Sequence, residues 1–446
     1  MRCLLTARDE RDGGEPLTNP DKAPDRETDL DMDLDAAPDT APDTDPGMDP
    51  YKDYGVDPGM DPGMDYVLPL RWSDDAGLEE LTAYLRRLRP LVRVIVVDGS
   101  PAALFARHAA RWEGLALHVR PDGDLDFANG KVNGVITGLR LARAEHVVIA
   151  DDDVRYGEGE LVRVDALLRN AELVRPQNHF DPMPWHARWD TARTLLNRGF
   201  GADYPGTFGV RRSTFLAMGG YDGDVLFENL ELIRTVRAHG GREDRPLDLY
   251  VRRLPPDPHH FWSQRVRQAY DDLAQPARMA FFLAVAPALA VALLRRRPGP
   301  ALAGAGLAVG LAEIGRRRAG GPQVFPFTAA LFAPVWLLER AVCSWLALAT
   351  RFLRGGVFYA GRRIPAAAHP PRLLRRRART RAQRRARTPA QTCAQTQTSA
   401  QAAASGSLAA RKPARLCEPS QNGLEADRPQ RHSATVTRPG SMTAPS

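Results

Sequence analysis

The sequence predicts an α/β fold: a mixed sheet with flanking helices, followed by apolar membrane helices and bounded by disordered termini. Three observations predict it. Between residues 66 and 277, short β-branched runs alternate with segments whose apolar residues recur at helical spacing. Between 278 and 364 the composition changes to long apolar runs bracketed by arginine triplets. Outside those limits charge is segregated. Residues 1–66 carry 19 acidic against 6 basic side chains, and residues 365–446 carry 15 basic against 3 acidic ones, so the formal net charge of +7 describes no single surface. Nucleic-acid binding is therefore not implied for the whole chain.

The elements follow in order. Tyr66 to Arg71 reads as a first strand, and Asp74 to Leu91 as a helix with Leu78, Leu81, Leu85 and Leu88 on one stripe. Val92 to Val97 is a continuous apolar run ending at Asp98-Gly99-Ser100, as expected of a buried parallel strand meeting a turn. A helix from Ala102 to Trp112, a short strand from Leu115 to Val119 and a helix from Lys131 to Ala144 come next. Glu145 to Ala150 is another buried strand and stops at Asp151-Asp152-Asp153. Two strands thus end in acids at one edge, where ligands of open α/β sheets bind.

Met279–Leu294, Ala301–Ile314 and Val324–Ala349 are the apolar runs, the last interrupted by Glu339-Arg340. Arg295 to Arg297 and Arg316 to Arg318 bracket them as interfacial anchors would. A buried soluble helix pair is the other reading. A hairpin of two spans plus an interfacial segment would keep the body on the cytoplasmic face of the membrane. Residues 1–65, with their repeated DPGMD, and the basic tail 365–446 lack the apolar content to offset chain entropy and are expected to be disordered. A shorter product starting at Met64 is a further expectation. The nine arginines from Arg372 to Arg387 suit acidic lipid headgroups or RNA, or else a solvated tail beside a membrane. Cys3, Cys343, Cys393 and Cys417 show no CxxC spacing, which points away from a zinc site or a disulfide framework.

Several residues carry candidate chemistry. Adjacent carboxylates at Asp151 to Asp153 repel one another unless a cation neutralises them, and Asp151 and Asp153 share a face of an extended segment. Mg2+ or Mn2+ held there would complete its shell with substrate phosphates; the alternative is a solvated acidic turn. Asp98 can accept hydrogen bonds from a nucleobase or ribose, or merely open a turn. Lys131 sits at a helix start beside Asn129-Gly130, where ammonium and helix N-terminus can both face phosphate. Glu228 and Glu231, at i and i+3, share a helix face, so either can act as general base or position an acceptor. Gln264, Arg265 and Arg267, just before the first apolar run, suit a sugar, a diphosphate or a bilayer surface.

In order, VIVVDGS ending at Ser100, GKVNGVITG from Gly130, the DxD at Asp151 to Asp153, FENLEL from Phe227 and QRVRQ from Gln264 resemble the membrane-associated family 2 glycosyltransferases with a GT-A catalytic domain. GVFYAGRRI from Gly356 adds some likeness to the ceramide glucosyltransferase and hopanoid glycosyltransferase branch. The resemblance implies a GT-A-like sheet over residues 66–277, a membrane-associated helical region over 278–364, and an inverting, metal-dependent transfer from a nucleotide-sugar donor to a lipid or glycan acceptor. It also implies that Asp98 contacts the base, that Asp151 binds the donor, and that Asp153 binds the metal. The sequence departs from the family at two points. Asn229 stands where the family's catalytic Asp is usual, leaving Glu228 or Glu231 as base, and Gln268 stands where Trp is usual. A nucleotidyltransferase of similar fold and a non-catalytic membrane scaffold are the other classes considered.

Overall fold

A computed structural model describes residues 63–359 and 361–383; the expectations for residues 1–62 and for the tail beyond 383 lie outside them. The chain begins with β1 (Met64–Leu70), α1 (Leu78–Leu88), β2 (Arg93–Asp98), α2 (Ala102–Trp112), β3 (Leu117–Val119), α3 (Gly130–Leu141) and β4 (His146–Ala150). These strands pair in parallel in the order β3-β2-β1-β4. Each strand carries apolar side chains toward both faces, so helices must cover both. One core cluster joins Tyr66, Leu68 and Val96 to Leu81, Leu85 and Trp112; a second, on the other face, joins Val67, Ile95 and Val97 to Val132, Val135 and Leu139.

The GKVNGVITG segment shows why α3 lies so near the sheet. A Cβ at Gly138 would collide with the Val67 side chain, and one at Gly134 would press on Pro69. These two positions, one helical turn apart, let α3 run directly against β1 and carry its first turn to the edge where β1, β2 and β4 end.

Next come β5 (Val154–Arg155), α4 (Glu158–Leu168), β6 (Leu173–Val174), β7 (Gln177–Phe180), α5 (Trp185–Phe200), β8 (Thr207–Arg211), α6 (Arg212–Met218), α7 (Glu228–Ala238), β9 (Glu243–Asp244) and β10 (Tyr250–Arg253). β8 runs antiparallel to β4 and extends the sheet through β6 to β9, which makes it mixed, as expected. A separate three-stranded sheet has the order β5-β10-β7.

The remaining elements are α8 (Pro258–Ser263), α9 (Arg265–Tyr270), α10 (Pro276–Leu294), α11 (Gly299–Arg317), α12 (Phe327–Leu331), α13 (Ala333–Leu353), β11 (Val357–Tyr359) and β12 (Arg362–Ile364). Among the described residues one helix, α10, is long and apolar enough to cross a membrane by length and composition. The expected boundary at 277/278 does not separate two bodies. Ala192, Leu195 and Leu196 of α5 share a core with Phe282 of α10, Ala308 and Ala312 of α11, and Trp336 of α13. Glu339-Arg340 does not interrupt its helix, because both charges are answered inside the protein: Arg265 Nη1 lies 3.6 Å from Glu339, and Arg340 lies 3.5 Å from Asp272.

The expected start of a disordered tail at 365 is also corrected. Leu226 and Phe227 donate backbone hydrogen bonds to Ala366 and Ala367 at 3.0 and 2.7 Å. Residues 371–383 form a helix, α14, that buries Leu374 and Ala378 and pairs Arg377 with Asp222 at 2.9 Å. Arginine dominates this segment, but its leucine and alanine fall at helical spacing and supply one apolar face.

Candidate active site

A cavity of about 320 Å³ opens beyond the carboxyl end of β4. Asn129, Lys131, Asp151, Gly206, Glu228, Asn229, Arg253, Arg267, Gln268 and Asp271 are among its walls. Each arrives for a local reason. The Asn129 side chain caps α3 by accepting from the Lys131 N–H at 3.2 Å, which starts the helix and places Lys131 on its first turn. Asp151 follows β4 and its N–H donates to Gly206 O at 3.0 Å. A side chain at 206 would overlap the Asp151 carboxylate, so the glycine here provides room for it. Glu228 opens α7, where negative charge favours the helix N-terminus.

The charges form one cluster. Lys131 Nζ lies 2.6 Å from Asp151 Oδ1 and 2.9 Å from Glu228 Oε1. Burial opposes the ammonium charge, but Asp151 and Glu228 outweigh it and raise the lysine pKa above its ordinary value. Arg253, which drew no attention in the sequence, bridges the other side: its Nε donates to Asp153 Oδ2 at 2.8 Å and its Nη2 to Asp151 Oδ2 at 3.5 Å. The antiparallel pairing of β10 with β5 sets Arg253 opposite Val154, so this contact is fixed by register. No local motif announces such a pairing. Burial lifts the Asp153 carboxyl to about 6 against the pull of Arg253.

Asp151 and Asp153 fit a divalent cation. Asp153 Oδ1 is enclosed without a hydrogen-bond partner, and one guanidinium already supplies positive charge between the two carboxylates. Hard oxygen donors of this kind suit Mg2+ or Mn2+. Asp152 is turned aside, accepting from the Trp72 indole N–H.

Three expected site residues are placed elsewhere. Asp98 is wholly buried and does not line the cavity. Its Oδ1 accepts from Ser100 N at 2.8 Å, while His108 Nδ1 and His118 Nε2 lie 2.7 and 3.0 Å from Oδ2. Burial alone would raise its pKa, but His118, Ser100 and His108 together hold it well below the usual carboxylate range. The carboxylate is thus committed to the end of β2 and not free for a nucleobase. Asp98, His108 and His118 do bring one potential ligand atom each within 4.8 Å of one another, and can hold a metal ion themselves. Glu231 is likewise buried and corrects its assignment as a base: it accepts from the His369 backbone N–H at 2.7 Å and meets His369 Nδ1 at 2.9 Å. Arg265 points away from the cavity, to Asp190 at 3.1 Å and over the Phe261 ring.

Arg267 and Gln268 do reach the cavity. Arg267 Nη1 donates to Gln264 Oε1 at 2.8 Å, and its guanidinium lies over the Tyr359 ring at 4.7 Å. Gln264 therefore acts behind Arg267, and β11 forms part of the wall. Arg193, Asn197, Asp271, Asp272, Arg278 and Arg340 line the cavity without having been singled out in the sequence. Enclosed polar atoms without hydrogen-bond partners gather here, on Arg193, Arg267, Gln268, Asp271 and Arg340. Such unmet capacity is costly unless a ligand or water meets it.

A second cavity of about 1100 Å³, lined by apolar side chains of α10, α11 and α13, meets the first at Asn197 and Arg278, which line both. Arg278 donates to Asn197 at 3.0 Å and pairs with Asp272 at 2.9 Å.

No protein-family model matches the chain, and no curated protein does. Among solved structures it is similar to a mannosyltransferase from Pyrobaculum calidifontis in complex with GDP-Man and Mn2+, at 20% identity and a TM-score of 0.39, over 65% of this chain and 88% of that one. It is also similar to glucosyl-3-phosphoglycerate synthase from Mycobacterium tuberculosis with Mn2+ and uridine diphosphate, at 17% identity and a TM-score of 0.33, over 45% and 74%. S. aureus TarS in complex with UDP-GlcNAc is a third, at 11% identity and a TM-score of 0.33, over 45% and 60%.

Proposed function

We propose that the protein is a metal-dependent glycosyltransferase that moves a sugar from a nucleoside diphosphate to a hydroxyl of a lipid acceptor, at the cytoplasmic face of a membrane and with inversion. The observation that carries this reading is the junction of two unlike cavities. A polar one is lined by Lys131, Asp151 and Arg253, with Asp153 paired to Arg253 behind it, and an apolar one adjoins it, Asn197 and Arg278 lining both. A diphosphate suits the first and a hydrocarbon chain the second.

Lys131, at the start of α3, and Arg253 supply positive charge where the leaving diphosphate gains negative charge. A divalent cation on Asp151 and Asp153 would neutralise the same charge. Arg267, fixed by Gln264 and Tyr359, has an enclosed Nε still to be satisfied and would orient the sugar or its phosphate. Glu228 holds Lys131 in place. An acceptor hydroxyl attacking opposite the leaving group would invert the anomeric centre in a single displacement. A glycan acceptor would leave the apolar cavity without a role, and α10 with its exposed apolar faces is suited to the bilayer that delivers a lipid.

The test is to incubate membranes carrying the protein with radiolabelled UDP-glucose, UDP-N-acetylglucosamine and GDP-mannose, then separate lipid from polymer products. Label in the lipid fraction, lost on chelation and in Asp153→Ala, is expected. Label only in polymer would overturn the lipid acceptor, and an active Asp153→Ala would overturn the metal site.

A further inference from the structure

Transfer to a hydroxyl requires a group to take its proton, and the cavity walls show which carboxylate is free to do so. Three carboxylates besides Asp271 line the cavity, a fourth, Asp153, lies behind Arg253, and each is occupied. Asp151 lies between Lys131 and Arg253, Asp153 accepts from Arg253, Glu228 meets Lys131, and Asp272 pairs with Arg278 and Arg340. Asn229 has nothing to ionise, and its amide donates to Pro205 O at 3.1 Å. Asp271 alone among these has no ion pair and no side-chain hydrogen bond among the described residues, and its Oδ1 is enclosed.

We propose that Asp271 is the base that takes the proton of the acceptor hydroxyl. This rests on the glycosyl-transfer reading and names a group within the same cavity. Position supports it. Asp271 follows α9 directly, four residues after Arg267 and beside Asp272, whose partner Arg278 lines both cavities. It therefore shares one cavity with Arg267, which would grip the donor, and with Arg278, which also lines the apolar cavity suited to the acceptor. In the reaction the acceptor oxygen forms its bond to the anomeric carbon while the bond to the diphosphate oxygen breaks. The electron pair leaves with the nucleoside diphosphate, and the hydroxyl proton passes to an Asp271 oxygen.

The surroundings tune the group to this task. Burial above all raises its pKa, Arg267 and Arg340 pull it down, Glu228 and Asp272 add to the rise, and the balance stands at about 7. Lys131, Asp151, Arg193, Arg253 and Arg278 complete the charged groups that line the cavity. A base poised near neutrality accepts and returns a proton with little penalty at either step.

The experiment is the pH dependence of transfer by the full chain in membranes, using whichever of the three sugar nucleotides labels lipid. Wild-type turnover should fall about tenfold per pH unit below about 7. Asp271→Asn should lower turnover at pH 8 by at least ~100-fold and abolish that limb, while leaving sugar-nucleotide affinity within about threefold; Asp271→Glu should recover part of the rate. An acidic limb near 4 to 5 in the wild type, which needs no variant, would overturn the assignment. Full turnover in Asp271→Asn with none in Asp151→Asn would overturn it while leaving glycosyl transfer standing. Full turnover in both variants, or none in the wild type with any donor, would overturn both.

Discussion

Arg253 shows how one residue can hold a charged site together before any ligand enters. Its guanidinium touches both Asp151 and Asp153, and those carboxylates would otherwise repel across a partly dehydrated gap. Arg253→Ala should therefore destabilise the fold by roughly 1 to 3 kcal/mol in the absence of divalent cations. Mn2+ should restore much of that loss, so the rise in melting temperature on adding Mn2+ should be larger in the variant than in the wild type. An equal rise in both would mean that Arg253 and the cation do not share the site. At Asp153 the same titration gives the complementary result: Asp153→Ala should remain folded but show no Mn2+-dependent rise. The motif DDD was legible in the sequence because its like charges demand an explanation locally. Arg253, a hundred residues away, was not, since only the pairing of β10 with β5 brings it there.

At the scale of elements, the segment from 366 to 369 is tied to the start of α7. Val225 bridges to Ala366, and Glu231 clamps His369 through both its backbone N–H and its ring. The hydrogen bond to Glu231 raises the His369 pKa above its ordinary value, against the effect of burial. A histidine whose folded pKa is raised adds stability that is fully present below its unfolded value near 6.5 and fades as the pH climbs through the folded value. Thermal stability should thus decline from about pH 6 toward alkaline pH. His369→Ala should lower it by about 1 kcal/mol at pH 6 and flatten that slope; an unchanged slope would show that another group is responsible. This clamp also explains why the helix carrying FENLEL was legible while its chemistry was not. The spacing predicted that Glu228 and Glu231 share a helix face; Glu228 lines the cavity, whereas Glu231 is held by a segment 138 residues later in the chain. Asp98 followed the same pattern: the strand and its turn were readable, whereas the two histidines that enclose the carboxylate come from α2 and β3.

For the whole molecule, the sequence divided at 277 because composition changes there, yet burial does not. The strand-and-helix body presents Ala192, Leu195 and Leu196 of α5, and the apolar helices cover them with Phe282, Ala308, Ala312 and Trp336. Buried charge crosses the same line, since Arg265 reaches Glu339 and Asp272 is shared by Arg278 and Arg340. Removing one side of such pairs leaves the other side dehydrated without a partner, at roughly 3 to 5 kcal/mol for each buried pair. That is a large fraction of the 5 to 15 kcal/mol by which domains are usually stable. A fragment ending at residue 277 should accordingly fail to unfold cooperatively and should aggregate through α5. A fragment of residues 63–383 in detergent should give one transition, reported at the same temperature by tryptophan fluorescence and by circular dichroism. If the shorter fragment instead melted cooperatively near the temperature of the longer one, the helices would be an appendage, and the two joined cavities would not belong to one site.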